Sequence, residues 1–505
     1  AYRKVQKMNK RLLCIITAAV LIVSVFSSCS AVNKNASEHK LVTQSSTKFV
    51  EDSTNFKLSY SQSDSLNPYK SETLNNQILQ ELVFDSLFTV DENYDVQPSV
   101  ATSYAYTNSK TLVATIPSGL KFSDGSDLTA SSVVYSFNQA KSSPHWKNSL
   151  DCISSASEQS ATEVKFSLKY ENPNAQNLLT FAISNGKTDK NGYTIGSGRY
   201  KFAEGGGEVY LEVNKQHQNF KPHIVKILLI NVTAEESIEN AVNIGNISYA
   251  FRDLSSGNKK RLQCNKKSVV LNNLVYIGVN NKSGITSNQY IRTAISLAAS
   301  RETFVKSSYQ SYAKAATSVF NPSSKMGKAT SVFDAKADTA GAKQAIAQSG
   351  YSPNQLKLSI LVNNNAAKQS VATLLKQQLE AVGFSVSIDS ENAKNFNTKV
   401  SANNFDIYIG ETKISADMNL YTFFSEKGTT HYGIDLSKSK TAKSYESYMK
   451  GDCEIGKFVI DFSEEMPFIP LVYRQGMICY SRLIHGDMQG YGTNYFSNIE
   501  DWYFN

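Results

Sequence analysis

Between Leu356 and Ile388 the apolar residues change period twice, and this constrains the fold more than any other feature of the chain. Leu356, Leu358, Ile360 and Val362 alternate with polar neighbours, the period of a strand with one buried face. Val371, Leu374, Leu375, Leu379 and Val382 then recur at helical spacing, and Gly383 sits where a left-handed cap would end the helix. Phe384, Val386 and Ile388 alternate again. Strand, helix and strand within about 35 residues make a βαβ unit, which requires parallel strands and a right-handed crossover. A third strand, Phe405 to Ile409, follows a polar stretch of helical character, so residues 275–470 are expected to form an open α/β lobe.

Earlier in the chain, Lys110 to Ile116 and Ile224 to Val232 read as strands, and Asp124-Gly125 marks a turn. Thr129 is placed to cap a helix carrying Val133, Val134 and Phe137. Asp124 and Asp127 lack the spacing of a calcium loop, and turn and cap roles account for them. There is no internal repeat, and 505 residues suggest two or three packed units.

The N-terminus reads as a targeting segment. Lys10 and Arg11 precede an apolar run from Leu12 to Phe26, interrupted only by Thr17 and Ser24, with Ser27, Ser28 and Cys29 at its exit. The run is shorter than the roughly 20 apolar residues of a membrane-spanning helix. Residues 1–28 are therefore expected to be a signal peptide, with Met8 as the true start, and the polar residues 29–54 a flexible tether.

A formal charge of +8 suggests a polyanionic partner until its distribution is considered. Five cations lie before residue 29 with no acid among them, and the remaining 47 cations face 44 acids, so nucleic-acid binding is not expected. Cys152, Cys264, Cys453 and Cys479 are far apart, without a CxxC, and their pairing is open. The six histidines are equally scattered; His217 and His223 flank Phe220 with no acid or Cys at ligand spacing, so no metal is expected. No HExxH, GxSxG or Walker loop occurs. Gly196-Ser197-Gly198 and Gly205-Gly206-Gly207 precede strand-like segments, whereas a phosphate loop must open a helix; they read as turns.

Several segments carry a family resemblance. Leu87-Phe88 with Asp91, Gln97 to Ala101, and Gly119 through Val133 resemble the signature of the peptide/nickel type (family 5) solute-binding proteins of ABC importers. Gly196 to Tyr200, Tyr276 to Asn280, Arg292 to Ile295 with Ala298 and Arg301, Lys343 to Tyr351, and Gln377 to Gly383 follow in the family's order, so the match spans about residues 55–505. Phe26-Ser27-Ser28-Cys29 resembles a bacterial lipobox, which implies lipidation at Cys29.

The resemblance implies an α/β, periplasmic-binding-protein-like class II fold: a two-lobed clamshell with a cleft at a two-segment hinge. Lobe I would comprise residues 55–272 plus 473–505 and lobe II residues 276–470, with crossovers near Asn273–Asn280 and Pro470–Tyr473. The implied function is to capture a short peptide or similar polar solute by lobe closure, as a monomer without cofactor, and to deliver it to an ABC permease and its ATPase. The implied location is the extracytoplasmic face of a bacterial membrane. In peptide-binding members a Gly-Trp pair precedes an Ala-Asp whose Asp pairs with the peptide's ammonium. Here the stretch is Gly410 to Asp417, with Glu411 where Trp would stand, so Asp417 or Glu411 is the candidate partner. Ser143-Pro144-His145 resembles a Ser-Pro-Tyr whose aromatic contacts ligand, and Leu74 falls where a loop offers backbone hydrogen bonds. A signalling receptor or chaperone-like peptide holder is the alternative, and an extracytoplasmic hydrolase a further one.

Overall fold

The computed structural model describes residues 56–232, 234–257 and 264–504; the targeting segment, Cys29 and the tether lie outside them. Among the described residues, eleven strands form the main sheet. They are β1 (Phe56–Tyr60), β2 (Tyr200–Gly205), β3 (Glu208–Val213), β4 (Lys226–Asn231), β5 (Tyr249–Arg252), β6 (Asn265–Val279), β7 (Ala313–Ala315), β8 (Lys357–Asn363), β9 (Ser385–Glu391), β10 (Ile407–Lys413) and β11 (Phe468–Tyr480). Their spatial order is β2-β3-β4-β1-β5-β11-β6-β10-β8-β9, with β7 added along β11.

Three helices bear on the site: α1 (Leu74–Leu79), α2 (Ala130–Ser142) and α3 (Ala366–Glu380). The βαβ expectation is met by β8, α3 and β9, whose strands pair in parallel from Lys357–Ser385 to Asn363–Glu391. Helix α3 begins at Asn365, whose side chain accepts from the Lys368 N–H, and buries Ala367, Val371, Leu375 and Leu379 along one face. Gly383, at φ 112°, follows its end. Lobe I holds a second, four-stranded antiparallel sheet, ordered 103–108, 111–115, 163–168, 153–160. Helix α2 packs on it through Phe137, edge-on to Phe166 at 5.6 Å. The turn expected at Gly196-Ser197-Gly198 starts one residue later, because Gly196 ends a short strand, Thr194–Gly196, and only Gly198 lies in the bend after it; a Cβ at Gly196 would lie 2.1 Å from the Val83 carbonyl oxygen.

The long strands β6 and β11 join the two lobes. Residues 265–270 of β6 pair with 475–480 of β11; after a register break between Val270 and Leu274, residues 274–278 pair with 468–473, and on the other side residues 273–279 pair with β10. A second irregularity between Val275 and Tyr276 brings Pro470 opposite Tyr276. Proline cannot donate to a ladder, so an irregular register is where a central strand tolerates it. One apolar cluster runs from Phe56 to Leu271 and resumes at Ile478 to Trp502, while two others draw mainly on residues 274–473.

Two arginines of the segment Arg292 to Arg301 are buried and consumed by carbonyls. Arg292 donates to Thr286, Ser287 and Glu465, and Arg301 to Pro470 of β11 at 2.9 Å. Their charge is spread over backbone dipoles rather than offered to a ligand.

Candidate functional site

A cavity of about 1860 Å³ opens between the lobes, lined from one side by α1 and the segments flanking the smaller sheet, and from the other by residues following β10. Leu74 opens α1, is 43% exposed, and lines it. Helix α2 ends at Ser143, in extended conformation, and Pro144 prevents its continuation, which swings His145 and Trp146 into the cavity wall. His145 lies edge-on to Trp146 at 4.5 Å. Burial, and then the Lys413 charge, push its imidazole down to about 4, so the ring is neutral at pH 7.

Asp417 reaches the same cavity from lobe II and is only 4% exposed. Its carboxylate accepts from Asn172 Nδ2 at 2.6 Å, from the Ser415 hydroxyl, and from the Asn419 N–H at 3.3 Å. Every one of these donors is neutral, and among the described residues no cation forms an ion pair with it. Burial therefore raises its pKa. The loop is docked across the lobes, because Asn177 Nδ2 also donates to the Ala416 carbonyl at 3.1 Å and Tyr170 meets Tyr421 edge-on at 4.5 Å.

Glu411 has different surroundings. It is not among the residues lining the cavity. Its carboxylate accepts from Arg474 Nε at 2.6 Å and Asn273 Nδ2 at 3.2 Å, and lies 3.0 Å from Lys368 Nζ. Burial opposes the charge, but Arg474 and Lys368 outweigh it and hold the pKa low. A carboxylate already matched by two cations is a poor partner for a third.

The structure adds a residue that sequence reasoning missed. Lys413, the last residue of β10, lines the cavity, and its side chain forms no hydrogen bond or ion pair with another described residue. Its side chain is open to the cavity while protein surrounds it, and this desolvation lowers its pKa against the pull of Asp253. Asp253 is itself paired with Arg474 at 3.0 Å. The only signal in the sequence is a Lys at the end of a strand, which is the commonest of surface features. Glu81, also in the wall, accepts from the Tyr495 N–H at 2.7 Å, and burial pushes its carboxyl up to about 8. Among the described residues no group of three or more His, Cys, Asp or Glu is placed to hold a metal ion.

A family model for bacterial extracellular solute-binding proteins, family 5 Middle, matches residues 95–431. The glutathione-binding protein GsiB of Escherichia coli (strain K12) is 25% identical over 351 residues, 65% of this chain and 67% of that protein. Among solved structures, the ABC transporter substrate-binding protein CtaP of Listeria monocytogenes superposes with a TM-score of 0.69 at 21% identity, covering 89% of this chain and 99% of that one. The oligopeptide-binding protein AppA of Bacillus subtilis, in complex with a nonapeptide, does so with a TM-score of 0.57 at 19% identity, covering 89% and 99%.

Proposed function

Because this chain belongs to the bacterial extracellular solute-binding proteins of family 5, the substrate-binding components of ABC importers, we propose that it captures a short peptide or similarly charged polar solute in the cavity between its lobes. One observation carries the ligand class: the cavity holds a buried carboxylate, Asp417, and an ammonium that opens into it, Lys413, and neither forms an ion pair among the described residues. Each lone charge costs free energy that a ligand of opposite sign offsets, so the best ligand carries both an amine and an acid. Short peptides do, and GsiB and AppA are named for peptide ligands. A volume of about 1860 Å³ exceeds that of an ordinary small-molecule pocket, roughly 300–1,000 Å³, and leaves room for several residues with water.

His145 and Leu74 are assigned to the opposite wall, where closure would press a neutral ring and an apolar side chain onto the ligand's middle. Glu411 is assigned to the lobe junction instead. The lobes are taken as 55–272 plus 473–505 and 276–470, hinged where β6 and β11 break register. A ligand touching both lobes stabilises the closed form by its differential affinity, and the closed form is what a permease with its ATPase would recognise. Among the described residues no helix is long and apolar enough to cross a membrane, and membrane attachment is assigned to a lipid on Cys29. The bound molecule leaves unaltered.

Titration calorimetry of short peptides in free, N-acetylated and C-amidated forms tests this reading. Saturable binding is expected, weakened by either modification and with no hydrolysis product. Equal affinity for the blocked and free forms would remove the two charges from the site.

A further inference from the structure

Cys264 and Cys479 are 215 residues apart and come together on adjacent strands of lobe I. Cys479 lies in β11, flanked by Ala250 of β5 and Lys266 of β6, while Cys264 immediately precedes β6, whose first residue Asn265 pairs with Tyr480. Their side chains share one apolar cluster, Cys479 within it and Cys264 packed against it. Both sulfurs sit against a small apolar cluster with Ile238, Val242, Ile247 and Met477; Cys479 is buried and Cys264 half-buried, so one thiol of the pair is open to a reagent and the other is not. The neighbouring Cys479 thiol, with Lys266, the Tyr480 N–H and Arg482, outweighs burial and lowers the Cys264 thiol, while the proximity of Cys264 and burial raise Cys479. Cys264 therefore carries more thiolate at a given pH than an ordinary cysteine, and thiolate is the form that attacks disulfides. None of these groups lines the ligand cavity. Cys152 offers a contrast within the same lobe, its thiol buried and raised to about 12.

We propose that Cys264 and Cys479 are an oxidisable pair, closing to an intramolecular disulfide that staples β6 to β11 when the protein meets a disulfide oxidant. The Cys264 thiolate attacks one sulfur of the oxidant, whose sulfur–sulfur bond breaks and releases one thiolate. Cys479, giving up its proton, then attacks the Cys264 sulfur of the mixed disulfide and expels the second thiolate. In sum the two protein thiols lose two protons and two electrons, and the oxidant becomes two thiols. Such an oxidant is at hand wherever disulfides persist, outside the cytosol.

The full-length protein is incubated with hydroxyethyl disulfide, free thiols are alkylated, and the unreduced digest is mapped by mass spectrometry. A linked species joining the peptides of Cys264 and Cys479, lighter by two hydrogens and abolished by reductant, is expected. Cys264→Ser should abolish it and leave Cys479 unmodified, since its thiol is shielded from the reagent. Recovery of both cysteines alkylated in the native protein would overturn the proposal. So would Cys264 carrying only half of the oxidant, or bound to a second chain. The outcome does not depend on the ligand assigned to the cavity.

Discussion

Asp417 and Glu411 lie six positions apart on one segment, and their partners separate their roles. Asp417 has three neutral donors and a cavity; Glu411 has Arg474, Lys368 and no cavity. Asp417→Asn keeps the shape and most hydrogen bonding but removes the charge, so amine-bearing ligands should bind more weakly by roughly 1.5–3 kcal/mol, the worth of a hydrogen bond to a charged group. Calorimetry reads the loss, and an unchanged melting temperature shows the fold intact. Glu81 makes a prediction about pH. Its carboxyl is raised from an ordinary 4.5 to about 8, so over that interval the folded protein holds a proton that the unfolded chain has released. Stability therefore falls as pH rises through this window and changes no further above it. Urea unfolding followed across the same window should show a shallower decline for Glu81→Gln; an identical slope would show that the ionised form is tolerated.

At the scale of elements, β6 and β11 support most of what is distinctive. They cross from one lobe to the other without a loop, and Arg474 stands beside the register break. Its guanidinium takes Glu411 from β10 on one side and the Asp253 carbonyl and carboxylate after β5 on the other. Arg474→Met would leave Glu411 buried with Lys368 alone and should cost about 3 kcal/mol in chemical denaturation, the low end for breaking a buried ion pair. Lys368→Met should cost less, because the bidentate-capable guanidinium remains. A larger loss for Lys368→Met than for Arg474→Met would reverse the assigned ranking.

For the whole molecule, the cavity and the two continuous strands together favour motion of one lobe against the other rather than local rearrangement. Scattering from the purified protein should show a smaller radius of gyration on addition of a tight-binding peptide, because the space between lobes closes around it. The Asp417→Asn protein at the same peptide concentration should retain the larger value. A radius insensitive to saturating ligand would mean that the cavity binds without closure.

Local elements, and through them the class of fold, follow from the order of residues along the chain. The βαβ unit of β8, α3 and β9 was legible because side-chain period is a property of neighbouring residues. So were the cap at Thr129, where Ser132 Oγ accepts from the Thr129 N–H, and the turn at Gly206-Gly207. The order of short motifs pointed to two lobes and to the segment holding Asp417. Only the tertiary structure decided which charges are spent and which are free. Glu411 is neutralised by residues 43 and 63 positions away, and Lys413 forms no ion pair among the described residues because the nearby Asp253 is taken by Arg474. Cys264 meets Cys479 only through the register of β6 on β11. Electrostatic partnership depends on distance in space and on the exclusion of water, and neither is written in the spacing of residues along the chain.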